Sequence, residues 1–175
     1  MRRLLLAAAV LVAVLAAAWC FLVRDTVVAP AVRVPEPVAT IGSGTEAIAV
    51  TGSGAVVRWF PLEDDPALPQ LPLSAPPKGN RLRGPMLEQA RILGAAPAAL
   101  RPYLASSRYG ESGVDVETTA GIELRFGDSS EAARKWKAAA AVLADPAVEA
   151  LDYVDLHAPR HPAIAGSGHT LPPSP

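Results

Sequence analysis

The sequence has little cysteine, few aromatic side chains and almost no net charge. It holds one cysteine, Cys20, so an intrachain disulfide is impossible and cysteine usage indicates no redox compartment. With 3 Trp, 3 Tyr and 3 Phe, the core must be small and built mainly from Val, Leu, Ile and Ala. A formal net charge of −1 argues against nucleic acid as a partner, because such proteins present a strongly basic surface.

The N-terminus carries a long uncharged run, residues 4–23. As a helix this run would be about 30 Å long, the thickness of a bilayer's hydrocarbon core. Arg2 and Arg3 precede it and favour a cytoplasmic N-terminus by the positive-inside rule. We therefore expect a single-pass anchor in the lipid bilayer of the plasma membrane, with an extracytoplasmic domain after it. Representative anchor residues are Leu4, Leu11, Leu15, Trp19, Phe21 and Val23.

A cleaved signal peptide is the alternative interpretation of the same segment. Arg2 and Arg3 would form its basic region, residues 4–15 its apolar region, and Ala16 and Ala18 the small residues of a cleavage site. Both interpretations export the rest of the chain.

The sequence pattern of the exported part predicts an α+β domain. It would consist of a mixed or antiparallel sheet with two or three helices packed on it. We expect residues 1–23 to be the cytoplasmic start and anchor, 24–31 a linker, 32–166 the domain and 167–175 a disordered tail. Short β-branched runs predict strands at residues 47–50 and 55–60. A first extended stretch at residues 32–41 contains Pro35 and Pro37, which predict that it lies at a sheet edge or begins late.

The second half of the domain has clearer periodicity. Residues 113–127 alternate apolar and charged side chains around a central turn, which predicts a half-buried antiparallel hairpin. Helices are expected from Pro85 to Gly94, over residues 97–104, and after a capping box at Asp128 and Glu131. Trp136 should anchor the last helix in the core, and residues 150–156 predict a final strand.

No residue pattern in this chain predicts catalysis or a cofactor. Asp155, His157 and His161 have a spacing that a metal site could use, but they lie where a strand passes into a polar, proline-rich segment. A nucleophile elbow of the Gly-x-Ser-x-Gly type is missing. We therefore expect neither a catalytic nor a metal site, and keep an exported metal-dependent hydrolase that uses the late histidines as an alternative.

Four short motifs, taken in order behind the apolar run, resemble the extracytoplasmic β domain of the bacterial FtsQ/DivIB cell-division family. They are Val-Pro-Glu-Pro-Val-Ala at residues 34–39, Leu-Pro-Gln-Leu at 68–71, Gly-Ile-Glu-Leu-Arg-Phe-Gly at 121–127 with Lys135 eight positions later, and Tyr-Val-Asp-Leu at 153–156. The resemblance covers residues 32–166.

The resemblance implies a scaffold of the divisome rather than an enzyme, located at the division septum. Members of the family bind the bitopic proteins FtsB and FtsL by strand addition, after the Asp-Leu motif, and so help to regulate septal peptidoglycan synthesis. Carried over to this chain, that edge is residues 157–166. The partner-binding residues it implies are Lys135, Tyr153, Val154, Leu156, His157, Ala163, Ile164 and Gly166.

Two features depart from the family pattern. Family members usually carry a POTRA domain between the membrane helix and the β domain, whereas here residues 24–31 alone would separate them. Pro162 and Gly166 also predict a short binding strand. A general envelope adaptor, exported by a signal peptide, therefore remains an alternative function.

Overall fold

Nine strands and two α-helices form the part of the chain that a computed structural model describes, residues 36–42, 47–58, 68–72 and 77–170. The strands, in chain order, are β1 (Pro37–Ile41), β2 (Ile48–Thr51), β3 (Val56–Val57), β4 (Gln70–Leu71), β5 (Leu104–Gly110), β6 (Gly113–Thr118), β7 (Glu123–Gly127), β8 (Ala150–Asp155) and β9 (Ala163–Thr170). The helices are α1 (Pro85–Gly94) and α2 (Ala132–Leu143), and a 3₁₀ turn spans Arg101–Tyr103.

All nine strands belong to a single mixed sheet with the order β3-β2-β1-β4-β5-β6-β7-β8-β9. The pairs β1–β4, β4–β5 and β7–β8 are parallel, and the other neighbours are antiparallel. Each parallel pair requires a crossover, and α2 lies in the crossover between β7 and β8. The expected α+β class, with a mixed sheet and helices packed on it, is confirmed for the described residues.

Both helices pack into one hydrophobic core with the sheet. Trp136 of α2 is fully buried, and its ring centroid lies 4.7 Å from that of Phe126 in β7. Its indole Nε1–H donates a 2.7 Å hydrogen bond to the carbonyl oxygen of Ile92, in the last turn of α1. The Ile92 carbonyl also accepts from the Ala95 backbone N–H at the end of α1, so the bond from Trp136 adds a second donor there and joins the two helices. The prediction that Trp136 is a core anchor is confirmed.

The predicted capping box before α2 is wrong. Glu131 is the N-cap residue, but its backbone adopts the left-handed conformation with φ 50° and its side chain makes no capping hydrogen bond. The Glu131 carboxylate instead pairs with Arg134 one turn later. Asp128 accepts hydrogen bonds from the backbone and hydroxyl of Ser130, and this short turn leads the chain into α2.

Several strands differ from their predicted bounds. The hairpin of residues 113–127 is confirmed as β6 and β7. The first strand was expected either to lie at a sheet edge or to begin late. β1 does begin late, at Pro37, but it lies inside the sheet between β2 and β4. The sequence did not predict β5, where we expected a helix as far as residue 104. β9 continues to Thr170, four residues beyond the predicted end of the domain, and the start of the predicted tail is therefore strand.

The expected anchor, represented by Leu4 to Val23, lies outside the described residues. Within the described ranges, no helix is long and apolar enough to cross a membrane.

Replacing Trp136 with Phe should lower the free energy of unfolding by about 2 kcal/mol. The variant keeps an aromatic ring against Phe126 but removes the bond to the Ile92 carbonyl and leaves a small cavity. Urea denaturation measures the change. Tyr103→Phe is the control, because this side chain is half exposed and its loss of a hydroxyl should leave stability nearly unchanged. Equal stability of both variants would contradict the proposed role of the indole.

Candidate functional site

β9 forms one end of the sheet and pairs only with β8 among the described strands. All eight of its residues are exposed, so its outer side presents backbone N–H and C=O groups to solvent. We call this outer side, residues 163–170, the β9 edge. The opposite end of the sheet is β3, which has only two residues. The β9 edge is therefore the longer of the two ends at which another strand could be added.

The first residues of β9 form a regular ladder with β8. Ala163, Ile164 and Ala165 lie opposite Asp155, Val154 and Tyr153. Directly opposed residues share a face of the sheet, so Ile164 lies on the same face as the fully buried Val154. Ile164 is nevertheless 47% exposed, because no described element extends the core past the edge.

A bulge interrupts β9 after Ala165. Asp152 of β8 faces a segment of three residues, 166–168, and its carboxylate Oδ1 accepts a 2.8 Å hydrogen bond from the Gly168 backbone. Gly166 has a φ of 93°, which a residue with a side chain rarely adopts. The ladder resumes where His169 lies opposite Leu151. Gly166 thus shapes the bulge, and the regular portion of the β9 edge is residues 163–165.

The predicted residues on β8 and after it lie behind the edge rather than on it. Val154 and Leu156 were implied as partner-binding residues, but both are fully buried and support the edge from behind. Tyr153 is half buried, and the guanidinium of Arg125 lies over its ring at 3.7 Å from the centroid. Such a cation–π contact stabilises the open face of β7 and β8.

Lys135 has a role inside the domain. Its side chain is 4% exposed, and its ammonium donates to the carbonyl oxygens of Phe126 and Asp128 at 2.8 and 3.1 Å and to the Asp128 carboxylate at 2.9 Å. An ammonium has three hydrogens, so these three acceptors use all of them. Lys135 therefore ties α2 to the end of β7 and has no hydrogen left for a partner protein.

His157 follows β8 and joins two separate parts of the fold. Its Nδ1 lies 2.7 Å from the Asp155 carboxylate, and its Nε2 lies 3.1 Å from the carbonyl oxygen of Ser112, in the turn between β5 and β6. Its backbone N–H also donates to Asp155. The hydrogen bond to Asp155, reinforced by that to Ser112, raises the pKa of His157.

The open face of the sheet carries a network of charges that sequence analysis missed. Arg108 of β5 pairs with Asp115 of β6 and Glu123 of β7, and Glu123 also accepts from Arg125 at 2.6 Å. Burial opposes ionisation of Glu123, but the two arginines outweigh this effect and lower its pKa. The alternating charges in residues 115–125 were a signal for such cross-strand pairs. The network makes this face polar, whereas Ile164 lies on the other face of the sheet, in the row of Leu124 and Val154.

The late histidines do not converge on a metal site in the described part of the chain. Within those ranges, no group of three or more His, Cys, Asp or Glu residues is arranged to hold an ion. His157 is occupied by Asp155 and Ser112, and the ring of His161 makes no hydrogen bond to a described residue. The hydrolase alternative therefore gains no geometric support from these residues.

Lys135→Met should lower the free energy of unfolding by about 2–3 kcal/mol, because it removes the ammonium donor from the buried carbonyl oxygen of Phe126 and from the partly buried one of Asp128. Lys137→Met, an exposed position on the same helix, is the matched control and should change stability by less than about 0.5 kcal/mol. Urea denaturation of both variants tests the difference. Similar small effects would mean that Lys135 does not fasten α2 to β7.

Acid should weaken the contact between the Lys135 ammonium and the Asp128 carboxylate. Hydrogen bonds from Ser130 and Lys135 lower the pKa of Asp128 to about 2. Stability from a carboxylate with a lowered pKa is complete above its unfolded pKa, about 3.9, and is lost as the pH falls through the folded value. Asp128→Asn should therefore flatten the stability profile between about pH 4 and pH 2, measured by urea denaturation at each pH. Glu149→Gln, an exposed position, is the control, and an unchanged slope in Asp128→Asn would contradict the assignment.

No protein-family model matches this chain, and no curated protein matches it. The features that bear on its function are therefore the motifs of its own sequence and the geometry around β8 and β9.

Proposed function

We propose that this chain is a membrane-anchored extracytoplasmic scaffold of the bacterial divisome, related to the FtsQ/DivIB family. It binds other bitopic division proteins, similar to FtsB and FtsL, by adding one of their strands to the β9 edge. The observation that carries the proposal is the exposure of all eight β9 residues at the end of a nine-stranded sheet. Main-chain hydrogen bonds would supply the affinity, and side chains beside them the specificity.

The β9 edge lacks most of the features by which proteins protect an edge strand. Natural edges are usually blunted by lysines and other charges, by proline or by bulges. Residues 163–170 contain no Lys, Arg, Asp, Glu or Pro, and their one bulge lies beyond Ala165. An edge left open over residues 163–165 would favour aggregation unless a partner covers it, so its openness supports a binding role.

Ile164 is the side chain best placed to contact an added strand. It continues the row of the buried Val154 outward, past the last strand of the sheet. An apolar residue of the partner, lying opposite on the same face, would remove Ile164 from water. Ala163 and Ala165 flank it and leave the backbone accessible, because their side chains are small.

The positions of two family-like motifs also support the proposal. The segment 121–127 contains β7, the segment 153–156 ends β8, and the two strands are parallel neighbours in which Glu123 lies opposite Tyr153. Sequence order alone does not require segments thirty residues apart to lie side by side. Their adjacency makes them one structural unit, with β9 built directly against it.

The anchor gives this scaffold its location. Residues 4–23 would hold the chain in the plasma membrane as a single-pass protein with its N-terminus in the cytoplasm. A linker of residues 24–31 would keep the domain close to the bilayer. The bitopic partners expected here have the same arrangement, and confinement to one membrane raises the effective concentration of each for the other.

Ile164→Glu should weaken copurification of the full chain with an FtsB-like or FtsL-like protein at least tenfold, because a charge would be buried beside the added strand. Tyr103→Glu is the matched control, since Tyr103 is a large side chain of similar exposure, 52% against 47% for Ile164, but lies on the 3₁₀ turn. Unchanged copurification of Ile164→Glu would remove the β9 edge as the binding site.

Hydrogen exchange separates strand addition from contact through side chains alone. In a complex formed by strand addition, backbone amides of residues 163–165 should gain protection as they acquire new acceptors. A complex without such protection would exclude strand addition while leaving the general adaptor function open.

A further inference from the structure

The His157 side chain contacts two groups that both accept hydrogen bonds. Asp155 offers a carboxylate oxygen at 2.7 Å from Nδ1, and Ser112 offers a backbone carbonyl oxygen at 3.1 Å from Nε2. Neither of these oxygens carries a hydrogen. A neutral imidazole has one N–H and can satisfy only one of them, whereas the imidazolium has two. The geometry is therefore complete only when His157 is protonated.

We propose that His157 is a pH-sensitive latch, which fastens the β8–β9 connection to the β5–β6 turn when protonated and releases the turn when neutral. In the neutral form the proton stays on Nδ1, where the carboxylate of Asp155 holds it. The lone pair of Nε2 then faces the lone pairs of the Ser112 carbonyl, so this contact becomes repulsive. The Asp155 contact is within the connection itself, and the Ser112 contact is the one that crosses to another part of the fold.

The backbone under the ring is shaped to hold it. Gly127, the last residue of β7, has a φ of 72°, and a Cβ added there would lie 2.6 Å from His157 Cδ2 and Nε2. Glycine thus allows the imidazole to rest directly on the β7 backbone. From this position on β7 the ring reaches the Ser112 carbonyl, and this contact defines the closed position of the latch.

The surrounding charges set the pH at which the latch operates. Asp155 and, from β6, Asp115 favour the imidazolium, whereas the ammonium of Lys135 on α2 opposes it. Glu111 and Asp128, which line the same depression, add negative charge, and Tyr109 lines it as well. The sum is a raised pKa for His157. The stability that the closed latch contributes is therefore present below the unfolded value of about 6.5, and the latch opens as the pH rises through the higher folded value.

Opening should loosen the start of the β9 edge. The connection between the strands is held at Leu156, whose backbone bonds to Arg125, and again at Ala163, opposite Asp155. Between these points lies a turn in which the His161 backbone N–H donates to the Ala158 carbonyl. Any effect of latch opening on partner binding rests on the proposed function, whereas the latch itself is a property of the chain alone.

Nitrogen-15 NMR of histidine side chains in the full chain, in detergent micelles, tests the latch without any partner. His157 should carry protons on both ring nitrogens at pH 6, and its titration midpoint should exceed that of the same residue in the urea-unfolded chain. Asp155→Asn should lower this midpoint while keeping an oxygen for the His157 backbone. His161→Gln is the matched control and should leave the His157 midpoint in place.

Hydrogen exchange then tests whether protonation fastens the connection. After correction for intrinsic exchange, protection of the His161 amide should fall several-fold between pH 6 and pH 8.5 in the wild type. In His157→Gln it should be low at both values. A His157 midpoint equal to that of the unfolded chain, an unchanged midpoint in Asp155→Asn, or protection independent of pH would each overturn the latch. Failure of Ile164→Glu to affect copurification would instead count only against the proposed function.

Discussion

The buried ammonium of Lys135 fixes the part of the fold on which the rest of the candidate site depends. It bonds to two carbonyl oxygens and a carboxylate at the end of β7, while the next residue, Trp136, packs on Phe126 and bonds to the Ile92 carbonyl in the last turn of α1. One turn of α2 thereby connects the sheet with the other helix. Because α2 is the crossover from β7, its position determines where β8 returns as a parallel neighbour, and β8 in turn carries β9.

β9 has a different physical basis from the strands that precede it. It contributes no buried side chain, so its place depends on the backbone ladder with β8 and on local contacts such as that between Asp152 and Gly168. Segments with little apolar burial open at low free energy. The same feature that exposes this edge to a partner also makes it sensitive to small changes nearby. A single hydrogen bond from His157 can therefore change the opening of this edge, although a bond of the same strength would have little effect on the core.

Sequence periodicity predicted the elements whose side chains enter the core. It failed for elements that are held mainly by backbone hydrogen bonds. The alternation in residues 113–127 gave the β6–β7 hairpin, and the apolar face around Trp136 gave α2. β5 was missed because only Leu104 and Ser107 of its seven residues are buried, which leaves no alternating pattern. The predicted edge segment ended too early, at residue 166, because the glycines of β9 form a bulge and none of its side chains is buried. The predicted capping box did not form because Asp128 accepts hydrogen bonds from Ser130 and Lys135, and Glu131 pairs with Arg134.

The candidate site shows the same division. Ile164 could be identified from sequence, because it is a large apolar residue in a polar segment beside a strand. The roles of Lys135 and His157 could not, since each depends on backbone carbonyls that carry no side-chain signal, at Phe126 and Ser112. The two cations share one depression and repel each other. Asp128 pairs with Lys135 and compensates part of its charge, which reduces the repulsion that Lys135 exerts on a protonated His157. The contact between Lys135 and Asp128, which helps to position the edge strand, is thereby coupled to His157, the group proposed to control that strand.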